Sequence, residues 1–195
     1  MTVELRRLQG AALAAALDDL ARLRIEVFRE WPYLYDGDLG YERDYLSIYV
    51  KVKTSVVAAA YEGARMIGAA TGSGLADHAD DFGAAFAGFE RPITDVFYCA
   101  ESVLLPSYRG RGLGHAFFDA REAHARKLGY RFAAFCSVIR PADHPLRPQS
   151  VRDLEPFWRK RGYAPLQGRR AKFSWRDVGQ SYESAKELQF WGREL

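Results

Sequence analysis

The chain has 195 residues, a formal net charge of +3 and 48% apolar residues, which suits one packed domain with at most modest additions. So small a charge makes no case for nucleic acid, and no apolar run reaches the length of a membrane span. Cys99 and Cys136 are the only cysteines. They lie in strand-like segments and read as buried reduced thiols; with no signal-peptide pattern at the N-terminus, the expected location is the cytoplasm.

In chain order, a short strand is expected at Thr2–Leu8. Leu13, Leu17, Leu20, Leu23 and Val27 recur at helical spacing and predict a helix over Ala11–Arg29. Trp31-Pro32 ends it. The loop Tyr33–Gly40 is aromatic and acidic, and a second helix follows at Tyr41–Tyr49. Ser55–Tyr61 and Met66–Gly74 read as antiparallel strands joined at Glu62-Gly63. Asp77–Glu90 reads as a helical excursion and Asp95–Leu105 as a strand. Gly112–Leu128 reads as a helix with Gly129 at its C′ position, and Arg131–Val138 as the next strand. The loop Ile139–Ser150 holds three prolines. Val151–Arg161 reads as a helix, and Lys172–Val178 and Glu187–Trp191 as two closing strands. This order predicts an α+β fold with a mixed, mostly antiparallel sheet rather than a doubly wound one.

The run Tyr108-Arg109-Gly110-Arg111-Gly112-Leu113-Gly114-His115 lies between a strand and a helix. Glycines at every second position leave main-chain N–H groups uncovered, and the helix that follows points its positive dipole end at the same place. A P-loop is excluded, because no Gly-Lys-Ser or Gly-Lys-Thr occurs. The dinucleotide pattern G-x-G-x-x-G fails too, since its third glycine would fall on His115 or Phe117.

Arg109-x-x-Gly112-x-Gly114 resembles the acetyl-CoA pyrophosphate loop of the GNAT-family N-acetyltransferases, Q/R-x-x-G-x-G/A. Pro106 stands where the family's strand-ending proline does. Phe157-Trp158-Arg159-Lys160-Arg161-Gly162-Tyr163 looks like its aromatic-x-x-x-Gly-aromatic helix end, and Leu23–Phe28 resembles its first-helix motif. The resemblance implies a three-layer fold over 1–195 as one acetyltransferase domain, with helices on both faces and a sheet that splays after the fourth strand. The cofactor half would span about 94–165 and the substrate-side wall about 28–50.

It also implies acetyl-CoA as co-substrate, without a metal, and a small-molecule or peptide amine as acceptor, attacked directly in a ternary complex. Arg109, Gly110, Arg111, Gly112, Leu113 and Gly114 would hold the diphosphate, and Ser102, Val103 and Leu104 the pantetheine arm, with a main-chain N–H there polarising the thioester carbonyl. Glu101 is the candidate general base; the alternative is an outward-facing glutamate or an arginine's partner. His144, with Asp143, is a candidate to orient the amine or relay its proton; the alternative is a rigid surface turn. Trp31, Tyr33, Tyr35 and Asp36 are candidate substrate contacts, since aromatic faces with carboxylates suit a cation. The family's tyrosine acid falls on Trp158, which cannot protonate a thiolate. That departure leaves open a catalytically silent CoA-binding sensor or interaction module. The basic stretch from Arg159 to Lys172 reads as a solvated face or a contact for the cofactor's 3′-phosphate. Partners expected are neither nucleic acid nor membrane. A homodimer through an exposed closing strand near Trp191 is possible.

Overall fold

The computed structural model describes residues 2–195. Strand β1 (Val3–Leu8) is followed by α1 (Gly10–Phe28), α2 (Leu39–Lys51) and the hairpin β2 (Val56–Glu62) and β3 (Arg65–Gly74). The short helix α3 (Ala79–Phe82), between tight turns, leads to β4 (Val96–Tyr98) and β5 (Ser102–Leu104). Then come α4 (Leu113–Lys127), β6 (Phe132–Val138), α5 (Glu155–Lys160) and the long hairpin β7 (Ala164–Arg176) and β8 (Glu183–Glu194). The sheet runs β1-β2-β3-β4-β6-β8-β7, with β5 paired to β3. Among the described residues only the β4–β6 pair is parallel. This is the mixed, mostly antiparallel α+β sheet that the element order predicts.

Val56 to Tyr61 are all buried, so both faces of β2 are covered. Neighbouring residues of one strand show which helices cover which face. Glu101 meets Arg24 of α1 and Tyr45 of α2, whereas Ser102 meets Arg121 of α4. Successive side chains point to opposite faces, which sets α1 and α2 on one side and α4 on the other.

Three elements differ from the sequence reading. The strand expected over Asp95–Leu105 is broken into β4 and β5, for a reason given with the site below. The helix expected from Val151 starts only at Glu155, because Pro156 has no N–H and fits only a helix's first turn. The closing strands are longer than read: β7 already begins at Ala164, and a register shift between Pro165 and Arg170 interrupts its alternation. In consequence β8 lies between β6 and β7, and Trp191 is 3% exposed. The strand near Trp191 is therefore no exposed edge, and β7 takes that place.

The loop that walls the cavity described below is pinned by a buried ion cluster. Arg140 reaches both carboxylate oxygens of Asp177 and donates to the carbonyls of Pro32 and Tyr33. Lys186 lies 3.0 Å from the same carboxylate. Main-chain bonds from Asp36 to Arg176 and from Val178 to Leu34 complete the clasp. Burial pushes the Asp177 carboxyl up, but the hydrogen bonds and charges of Arg140 and Lys186 outweigh it and hold the group below its usual range. Asp177→Ala leaves two buried cations without their counter-ion and should cost about 3–5 kcal/mol in urea unfolding at pH 7. The depressed carboxyl contributes stability above its unfolded value and loses it as pH falls through the folded one. The gap between wild type and variant should therefore narrow below about pH 3.9.

Candidate active site

A one-residue bulge builds the site. Ser73 pairs with Tyr98 on β4, whereas Ala70 pairs with Ser102 on β5. Between them Ala100 and Glu101 both oppose Thr71: Ala100 N–H donates to the Thr71 carbonyl, and Thr71 N–H donates to the Glu101 carbonyl. The extra residue bends the strand. Cys99 N–H still donates to Ala134 O at 2.8 Å, and beyond that point β5 pairs only with β3. β6 stays with β8, so a V-shaped gap opens between β5 and β6. Buried Arg121 locks the bulge, donating to the carbonyls of Thr71 and Glu101 and to the Ser102 hydroxyl. Antiparallel alternation turns the main chain of Val103 toward β3 and that of Ser102 and Leu104 into the gap.

Past β5 the chain turns at Pro106–Tyr108 and enters the glycine run. Gly110 and Gly112 have φ of +80° and +83°, a region that L side chains avoid, and Gly112 caps α4. An added Cβ at either would meet no protein atom within 4 Å, so conformation alone dictates glycine there. Among the described residues, no protein acceptor takes the N–H groups of Gly110, Arg111, Gly112, Leu113 or Gly114. The two arginines fold back on the loop. Arg109 donates to Leu104 O at 3.1 Å and to Glu30 at 2.8 Å, and Arg111 donates to Ser107 O at 2.9 Å.

On the α1–α2 side of the gap lies a cavity of about 510 Å³. Tyr33, Tyr35 and Asp36 line it, as do Ala100, Glu101 and Cys136 at the apex of the gap. Asp36 is shared by Arg29 and Arg176, each at 3.0 Å. Trp31 and His144 do not line the cavity. Their rings meet edge-on at 5.4 Å, and His144 Nδ1 accepts the N–H of Leu146. Asp143 is exposed on the same loop.

Glu101 both lines the cavity and partners an arginine. Its carboxylate accepts from the Tyr45 hydroxyl at 2.5 Å and from the Thr71 hydroxyl, and Arg24 Nη1 lies 2.6 Å away. Burial pushes this carboxyl up; the Arg24 charge beside it and the Thr71 and Tyr45 hydrogen bonds outweigh it, and the net shift is downward. Cys136 touches the Tyr98 hydroxyl at 3.1 Å, and burial pushes its thiol up to about 12, so both groups stay protonated at neutral pH. Trp158 packs between Phe135 and Trp191, and Tyr163 is a core residue that donates to Glu122. Much of the basic stretch is engaged within the fold: Arg161 with Asp119 and Glu122, Arg169 with the carbonyls of Ala85 and Ala87, Arg170 with Glu187.

Sequence reading missed Arg24, Thr71 and Arg121 as parts of this site, whereas Glu42 falls in the aromatic, acidic stretch expected to wall the acceptor pocket. Two of the three carried a signal. Arg24 follows Leu20 by four and Arg121 follows Phe117 by four. Each is a charge on the apolar stripe of its helix.

Residues 15–147 match the profile of the acetyltransferase (GNAT) family. No curated protein matches the chain by sequence. Among solved structures, an N-acetyltransferase from Staphylococcus aureus Mu50 superposes with TM-score 0.61 at 11% identity, over 100% of this chain and 99% of that one. Ribosomal-protein-alanine N-acetyltransferase from Brucella melitensis gives 0.61 at 15% identity, over 98% and 99%. AAC(6')-Iy, in complex with the bisubstrate analog CoA-S-monomethyl-acetylneamine, gives 0.52 at 17% identity, over 74% and 83%. With its profile matched across the splayed sheet and the glycine loop, the chain belongs to the GNAT family and is an N-acetyltransferase.

Proposed function

We propose that the chain moves an acetyl group from acetyl-CoA to an amine of a small molecule or peptide, by direct attack in a ternary complex. The five acceptor-free amides at 110–114 carry this reading. A hydrogen bond to a charged partner contributes about 1.5–3 kcal/mol. Several together exceed the helix-dipole contribution of about 0.3–1 kcal/mol. The main chain, more than Arg109 or Arg111, thus holds the diphosphate. Ser102 and the Leu104 N–H present strand-edge groups to the pantetheine arm, while Val103 turns its main chain toward β3 and away from the arm. Acetyl-CoA supplies the activated acyl carbon, at which the amine nitrogen replaces the thiolate.

The acceptor needs to shed a proton. A primary amine is roughly 99.9% protonated at pH 7, and deprotonation costs about 4.6 kcal/mol. Glu101 is the proposed base. A carboxylate held this low accepts protons weakly, so desolvation of the ammonium among the cavity's tyrosines carries the larger share. With indole at Trp158, the reading assigns protonation of the leaving thiolate to water.

An amine-dependent release of free thiol from acetyl-CoA, screened over amines, amino acids and peptides, tests the reading directly. Gly112→Ala forces a side chain into the left-handed region at about 1–2 kcal/mol, and should weaken CoA binding about tenfold by calorimetry. An unchanged Kd would sink the loop's role. Glu101→Gln should lower kcat near neutral pH about tenfold, the smaller share of the deprotonation cost, with partial recovery at high pH. In the wild type, the acid limb of kcat/KM that belongs to Glu101 should lie below the ordinary carboxylate range. Arg24→Met removes the largest opposing charge and leaves burial dominant, so that limb should move to higher pH. A limb that stays in place would assign proton removal to water or desolvation alone.

A further inference from the structure

Five carboxylates line the cavity (Asp36, Asp38, Glu42, Glu101 and Glu183), against the two guanidiniums of Arg24 and Arg176. Most have an assignment. Asp36 is taken by Arg29 and Arg176, Asp38 caps α2 through Tyr41 N–H, and Glu101 has three partners. Glu42 is different. It is 0% exposed, and its Oε2 accepts from Arg24 Nε at 2.5 Å. Its Oε1 has no hydrogen-bond partner among the described residues. The Tyr35 hydroxyl lies beside the Glu42 carboxylate, and burial together with that carboxylate holds the phenol protonated. Arg24 is shared by Glu42 and Glu101, and its Nη1, though close to Glu101, is not aligned for a hydrogen bond. One guanidinium therefore serves two buried carboxylates. The other buried cations nearby do not make up the difference. Arg121 spends its donors on carbonyls and the Ser102 hydroxyl from the α4 side, and the Arg140–Asp177–Lys186 cluster does not line the cavity. A buried carboxylate oxygen without a donor is rare and costly, and a cavity on which it borders is where a donor can enter.

Building on the acetyl-transfer reading above, we propose that Glu42 seats a second, non-reacting ammonium group of the acceptor, so that the preferred acceptors are diamines or longer polycations. The reacting nitrogen belongs at the apex of the gap, beside Ala100 and Glu101. Glu42 lies one guanidinium away, since Arg24 touches it through Nε and faces Glu101 through Nη1. It is also one helical turn before Tyr45, whose hydroxyl meets Glu101. A short alkyl spacer bridges the two positions. Tyr35, Tyr41 and Tyr45 supply aromatic walls for a cation, and Asp38 and Glu183 extend the negative lining for a longer chain. A second positive charge also aids the chemistry. It repels the proton on the reacting ammonium, lowering the pKa that the site must overcome. An acceptor with a carboxylate in that position is repelled by the same Glu42.

Calorimetric titration of the CoA-bound protein with three equal-length probes tests this: 1,6-diaminohexane, 6-amino-1-hexanol and 6-aminohexanoate. Wild type should bind the diamine about tenfold or more tighter than the amino alcohol, the scale of one charged hydrogen bond, and the amino acid most weakly. Glu42→Gln should abolish the diamine's advantage while leaving CoA affinity intact. Equal binding of diamine and amino alcohol by wild type, no binding of any probe, or an advantage that survives in Glu42→Gln would overturn the seat. If Glu42→Gln does not fold, the wild-type ranking alone decides. Thiol release measured with the same probes separates the two readings. A diamine preference in binding without thiol release from any probe refutes acetyl transfer and keeps the seat, and thiol release without a diamine preference does the reverse.

Discussion

Ala100 and Glu101 share one partner, Thr71, and from that single added residue the gap, the free edge of β5 and the placement of Glu101 all follow. Without the bulge, β4 and β5 would be one strand paired to β3 throughout, with β6 free to run beside it. The bulge is held from both faces. Arg121 takes its carbonyls from the α4 side, while Tyr45 and Arg24 take the Glu101 carboxylate from the other. Thr71 accepts from Ala100 N–H with its carbonyl and donates to Glu101 with its hydroxyl. A buried polar network of this kind has high stakes: satisfied it fixes one geometry, and broken it leaves charges in a poor solvent.

That network explains how an acidic residue is tolerated in an apolar strand. Alone, burial would push Glu101 toward its neutral form. Arg24, Thr71 and Tyr45 reverse the outcome and keep it ionised. The same guanidinium also serves Glu42, so Arg24 ties α1, α2 and the bulge together through charge. Its ring contacts do part of the holding, since the guanidinium lies 4.9 Å from the Phe28 ring centroid and 4.6 Å from that of Tyr45. The wall around the cavity is fixed by a second charge cluster, Arg140 with Asp177 and Lys186, which clamps the carbonyls of Pro32 and Tyr33.

The strand, glycine turn and helix around Gly110–Gly114 were legible in the sequence because the unit is local. Strand, glycine turn and helix follow one another within a few residues, and the positive φ of Gly110 and Gly112 leaves its mark directly as glycine. Tyr33, Tyr35 and Asp36 reached the cavity as expected from an aromatic, acidic loop. Trp31 and His144, drawn from the same kind of local composition, pair with each other outside its lining. The bulge was not legible. Nothing in Tyr98-Cys99-Ala100-Glu101-Ser102 separates a continuous strand from a broken one, since the insertion exists only relative to Thr71. Glu101 was read with two alternatives, base or arginine partner, and its partner sits 77 positions earlier in a different helix. Arg140 was likewise visible only as the start of a proline-rich loop, its reach to Asp177 being a matter of tertiary structure.

On the proposed reading the two halves of the site would recognise by different means. Diphosphate recognition through amides 110–114 would depend on backbone shape, so it would tolerate change at Arg109 and Arg111 and fail when a glycine's conformation is lost. Acceptor recognition would depend on side chains contributed by α1, α2, the bulge and β7, and hence on charge balance. A carboxylate-rich cavity that attracts an ammonium also stabilises its protonated form, which opposes attack on an acyl carbon. Glu101 drawn low by Arg24, with Glu42 set one guanidinium further off, divides those tasks: the carboxylate nearer the apex is partly neutralised, and the unsatisfied one lies away from it. On the proposed reading, attraction would be strongest where no proton has to leave, and weakest where one must.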